Sequence, residues 1–178
     1  MPITNTSQEY GSVAKFFHWL IFILVSIMLA VGFLLDDFSK SMQPTAYSLH
    51  KLTGLTILAL MVLRILWALM NKRPELPARS YKLTRFTARF VHFLLYLLLI
   101  LMPLSGWIMS ITAGRPPRLF GHVLTLPIQP NEQLSSFCKD LHELFAFTLL
   151  ALIALHILAA FKHHYIDRDN VLKRMLPK

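Results

Sequence analysis

The chain has 178 residues, of which 55% are hydrophobic and 15% charged, with a mean hydropathy of +0.53; soluble domains average about 45–50% apolar and 25% charged residues. A single cysteine, Cys138, excludes an intrachain disulfide, an iron–sulfur cluster and a Cys-based zinc site, so any redox cofactor must use other ligands. The net charge of +9 alone points toward nucleic acid, and no motif supports that partner.

Taken in chain order, residues 16–35 form an uncharged run between Lys15 and Asp36 that predicts the first membrane-spanning helix. The run exceeds the roughly 7–15 apolar residues of a signal-peptide core and carries His18, so it is read as a retained span. A second span is expected over 48–69, with His50 and Lys51 at its start and Arg64 interrupting it. A third is expected over 90–111, opening near His92 and kinked at Pro103. The fourth is expected over 142–162, with His142 and Glu143 at its start and Lys162, His163 and His164 at its end, followed by a short polar tail. There is no internal repeat, low-complexity tract or strand-like alternation. The expectation is an all-α integral membrane four-helix bundle, residues 1–178 forming one domain.

Charge orients it. With both termini inside, the inner segments 1–15, 64–89 and 162–178 hold thirteen Lys/Arg and four Asp/Glu, against five and five in the outer segments. All of the basic excess then lies on one face, as the positive-inside rule requires of a cytoplasmic side. The run Arg79, Lys82, Arg85 and Arg89 is accounted for by anionic lipid without nucleic acid. Trp19, Trp67 and Trp107 read as interfacial anchors, and Gly32, Gly54 and Gly106 as places where a helix or a flat ring comes close.

Ionisable groups inside a bilayer are functional candidates, and here they are histidines. His142 and His156 are fourteen residues apart, a rise of about 21 Å and a rotation about 40° short of four turns, so one helix face presents two imidazoles at two depths. Topology brings His18 to the inner level of His156 and His50 to the outer level of His142. Two neutral imidazoles facing each other between helices suit the axial positions of a haem iron, giving a centre for electron transfer without an open oxygen site. Asp and Glu are lacking inside the spans, which argues against zinc and against a proton relay. His92 starts the third helix at the inner depth and is an alternative to His18. Arg64, fourteen residues beyond His50, shares its face at the inner level and is placed to pair with a haem propionate.

Several motifs occur together: His18-Trp19; His50-Lys51-Leu52-Thr53-Gly54; Leu101-Met102-Pro103-Leu104-Ser105-Gly106-Trp107; His142-Glu143; His156; and His163-His164-Tyr165 with Asp169-Asn170 and Arg174-Met175-Leu176-Pro177. In order and spacing, over essentially the whole chain, they resemble the bacterial cytochrome b561 family, and more distantly the cytochrome b subunits of formate dehydrogenase and nickel–iron hydrogenase. The resemblance implies two b-type haems, an inner one on His18 and His156 and an outer one on His50 and His142. It also implies an inner-membrane protein exchanging electrons between a small periplasmic donor, superoxide in at least one similar type, and ubiquinone. Arg115, Arg118, Lys51 and Lys139 are the outer cations available to steer an anion. His163, His164 and Tyr165 are the expected quinone site, since histidine supplies protons near neutrality. Two alternatives are an electron-conducting anchor subunit for a separate dehydrogenase or hydrogenase, which would make a protein partner necessary, and a haem-free transporter, against which the missing inverted repeat counts.

Overall fold

The computed structural model describes residues 2–72, 74 and 82–177. Arg79 and part of the basic inner connection lie outside them. Four helices, α1 (Ser12–Leu34), α2 (Gln43–Met70), α3 (Lys82–Thr112) and α4 (Glu132–Phe161), are each long and apolar enough to cross a membrane. The chain is an all-α four-helix bundle. Direction alternates: Gly32 near the end of α1 meets His50 near the start of α2, and Ser105 late in α3 meets His142 early in α4. Both termini share one end, where the Lys15 ammonium donates to the Leu176 carbonyl oxygen at 3.1 Å. That end is called inner here, following the charge reading.

The helices outrun the uncharged segments that announced them, because charged residues are barred from hydrocarbon and not from helix. From Glu132 to Ile166 the last helix and its π-helical continuation (Lys162–Ile166) cover 35 residues, about 50 Å at 1.5 Å per residue, against about 30 Å of hydrocarbon. α4 therefore starts ten residues before His142. Its start is set by Asn131, whose side-chain oxygen accepts the Leu134 N–H at 2.8 Å, with Glu132 favourably placed in the first turn. α3 continues through Pro103.

Between α3 and α4 a two-residue ladder pairs β1 (Arg118–Leu119) with β2 (His122–Val123). Phe120 at φ 49° and Gly121 at φ 83° make its left-handed turn. Strands this short leave no periodicity to read.

The core lies between the two histidine levels. Ile21, Met61 and Leu149 are its least exposed members, and Leu149 stands seven residues from both His142 and His156. Outward-facing Ile23, Ile27, Leu63, Phe93, Leu155 and Leu158 are exposed, as faces turned to lipid should be. The closest backbone approaches join α3 to α4, α1 to α2 and α2 to α3.

The tryptophans also serve the fold. Trp19 Nε1 donates to the Met175 carbonyl at 2.8 Å, Trp107 Nε1 to the Leu124 carbonyl at 3.0 Å, and Trp67 Nε1 is buried without a partner. Two of the three tie chain segments together, a use of the indole N–H that spacing along a span cannot reveal.

Candidate functional site

At the outer level the His50 and His142 rings face each other from α2 and α4, with centroids 6.3 Å apart. His142 is held firmly. Its Nδ1 lies 2.9 Å from the Met102 carbonyl oxygen and 3.2 Å from Ser105 Oγ. A carbonyl only accepts, so Nδ1 carries the proton and Nε2 keeps its lone pair free for a metal. Two glycines make room: a Cβ on Gly106 would stand 2.9 Å from His142 Cε1, and one on Gly32 3.2 Å from His50 Cε1. His50 Nδ1 is buried without a hydrogen-bond partner.

At the inner level His18 of α1 faces His156 of α4 with centroids 6.2 Å apart. His92 of α3 also reaches His156, at 5.2 Å, while its Nδ1 sits 2.6 Å from the Ala88 carbonyl. Arg64 is at this level, as its spacing from His50 predicts: its Nη2 is 3.4 Å from His18 Nδ1, and the guanidinium lies 5.1 Å from the Tyr96 ring centre. Trp19 packs edge-on against His18 at 5.4 Å.

Whether these rings suit a haem is a question of distance. With metal–nitrogen bonds of about 2 Å and each ring centre about 1.2 Å beyond its nitrogen, imidazoles on opposite sides of one iron have centroids about 6.4 Å apart. The 6.2 and 6.3 Å pairs meet that spacing, and the 5.2 Å pair falls short of it. Among the described residues none of these four imidazoles falls in a cluster of three or more metal-ligating groups that includes a carboxylate, a donor set that also fits porphyrin iron.

The π-helical turn carries the predicted quinone residues and keeps them together at the inner end, in differing states. His163 Nδ1 bonds Asp169 Oδ2 at 2.6 Å. His164 stacks edge-on against Tyr165 at 4.7 Å, and its own Nδ1 is buried without a partner. Tyr165 is 70% exposed. His163, Asp167 and Asp169 lie close enough for a cation, but Lys162 already holds Asp167 at 2.6 Å. That bond keeps the Asp167 carboxyl below its ordinary range.

At the outer end the Lys51 ammonium donates to the Arg115 carbonyl at 2.8 Å, and Arg115, Arg118 and Lys139 are exposed. Ser105, the Met102 carbonyl and Lys15 were not singled out from the sequence. The first two lie inside the Leu101–Trp107 motif. Lys15 stands three residues before His18, a spacing that places both on one helix face.

Residues 9–178 match the prokaryotic cytochrome b561 family. The chain is 36% identical over 182 residues to cytochrome b561 homolog 2 of Escherichia coli (strain K12), covering 100% of this chain and 96% of that protein. It is 33% identical over 171 residues to the probable superoxide oxidase CybB of Yersinia pestis, covering 96% and 97%. Cytochrome b561 homolog 1 of Escherichia coli (strain K12) is 27% identical over 177 residues, covering 96% and 98%.

Proposed function

Because the chain belongs to the prokaryotic cytochrome b561 family of membrane electron-transfer proteins, we propose that it carries two b-type haems and passes electrons from a small periplasmic donor to ubiquinone. It is a multi-pass protein of the bacterial inner membrane, and its family implies b-type haem. The proposed ligands are His18 and His156 for an inner haem and His50 and His142 for an outer one. The observation carrying this reading is the matched separation of the two ring pairs, 6.2 and 6.3 Å, on one face of α4. The shorter His92 contact supports His18 over His92 at the inner level.

Each haem, when bound, supplies a one-electron iron couple; the chain's own residues set the conditions around it. Met102 and Ser105 orient the His142 ring, and buried Ile21, Met61 and Leu149 keep water from the layer between the levels. Superoxide is the proposed donor, the activity named for the Yersinia pestis relative. Two superoxide anions each give up one electron and leave as dioxygen, and one ubiquinone takes both electrons with two protons. Lys51, Arg115, Arg118 and Lys139 would draw the anion to the outer end. At the inner end the His164 imidazole, whose Nδ1 is buried, and the Tyr165 hydroxyl are the groups left to serve a quinone, with His163 held by Asp169.

A reduced-minus-oxidised spectrum with a haem assay of the purified protein tests the cofactor, with two b-type haems per chain expected. Stopped-flow reduction by superoxide, then reoxidation by ubiquinone, tests the reaction. A haem-free preparation from haem-replete cells overturns the reading. A two-haem protein inert alone that copurifies with a large dehydrogenase replaces it with the anchor-subunit role.

A further inference from the structure

Lys15 is 4% exposed, and no other charged side chain among the described residues is as buried. It leaves α1 on the face of His18, one turn closer to the inner end. An ammonium has three N–H donors. One goes to the Leu176 carbonyl oxygen at 3.1 Å, and among the described residues no carboxylate lies within ion-pair distance of it. Buried charges are stable when an opposite charge faces them, so this ammonium calls for an anion that none of the described residues supplies.

The surroundings point the same way. Trp19 donates to the Met175 carbonyl, so residues on either side of His18 pin two successive carbonyls of the C-terminal segment across the inner end. Trp67, three residues beyond Arg64 toward that end, has a buried indole N–H without an acceptor among the described residues. The inner end is thus rich in donors and poor in acceptors. Propionates of an inner haem would be such acceptors, and carboxylates avoid hydrocarbon in favour of a polar end.

We propose that Lys15 is the counter-ion of one propionate of the inner haem, with Arg64 serving the other, and that residues 175–177 form the wall that keeps this pair dry. The inference rests on the two-haem reading. A fixed cation in a low-dielectric setting favours the extra electron of the reduced centre, so Lys15 raises the inner midpoint potential.

Redox titration of the two-haem protein, with the inner couple identified by its loss in His156→Ala, tests this beside the redox-difference infrared spectrum of protein loaded with carboxylate-labelled haem. Lys15→Gln keeps a donor for Leu176 and removes the charge. It should weaken inner reduction roughly tenfold at fixed ambient potential, the scale of a charge-assisted hydrogen bond. The propionate bands should shift, the outer couple should not move, and Lys15→Arg should restore the wild-type midpoint. A Lys15→Gln protein with two haems, an unmoved inner midpoint and unshifted bands overturns the proposal. Should that variant fail to accumulate, a chain ending at Arg174 should lower the inner midpoint alone, and an unmoved midpoint there also overturns it. Wild-type protein lacking a second haem defeats the two-haem reading itself, a result distinct from either.

Discussion

The two histidine levels are built by different means. The outer one uses backbone and absence: glycines on α1 and α3 clear space for the rings, and the Met102 carbonyl with Ser105 holds His142. The inner one uses charge and bulk: Arg64, Trp19 and His92 touch the His18–His156 pair, Tyr96 packs under Arg64, and Lys15 is buried one turn away on α1. The outer pair is therefore placed by backbone, a hydroxyl and glycine gaps, while at the inner pair the Arg64 guanidinium approaches His18.

The sharpest way to break this comparison is to remove the shared helix's ligands. His142→Ala should lose the outer haem and His156→Ala the inner one, each halving haem per protein, whereas His92→Ala should keep both. Retention of two haems in either of the first variants ends the ligand assignment. Next in size is Gly106→Val: overpacking against His142 costs about 1–3 kcal/mol, seen as a roughly tenfold or greater loss of outer-haem affinity in haem-transfer assays. Gly32→Ala, with more room, should do less. Ser105→Ala removes one contact to His142 and should weaken outer-haem retention only a few-fold, about 1 kcal/mol; an inner-haem effect of equal size would erase the distinction between levels.

The smallest effect belongs to Asp167, an exposed residue bonded to Lys162. Its carboxyl lies below the ordinary 3.8, so its contribution is fully present above that pH and is lost as pH falls through the lower folded-state value. Asp167→Asn should leave the melting temperature unchanged at neutral pH and alter only the acid limb, because an exposed pair is well screened. A neutral-pH loss would show that the tail depends on this bond.

Local periodicity accounts for what was legible beforehand. A fourteen-residue interval on an apolar helix sets His142 and His156 on one face whatever surrounds them, and uncharged runs locate the spans because hydrocarbon rejects charge. Arg64 reached the inner level by the same arithmetic. Depth alone could not choose between His18 and His92, since both lie near the inner ends of their spans; the distance of each ring from His156, 6.2 Å and 5.2 Å, is a property of how α1, α3 and α4 pack. Nor could it show that the polar tail returns to Lys15 and engages Trp19, that His163 is bound to Asp169, or that the Leu101–Trp107 stretch presents a carbonyl to His142. The sequence by itself determined the spans and the rows of side chains, because helix geometry repeats every few residues. Tertiary structure alone decided which rows meet and which donors are left without acceptors, because those depend on contacts between segments up to 161 residues apart.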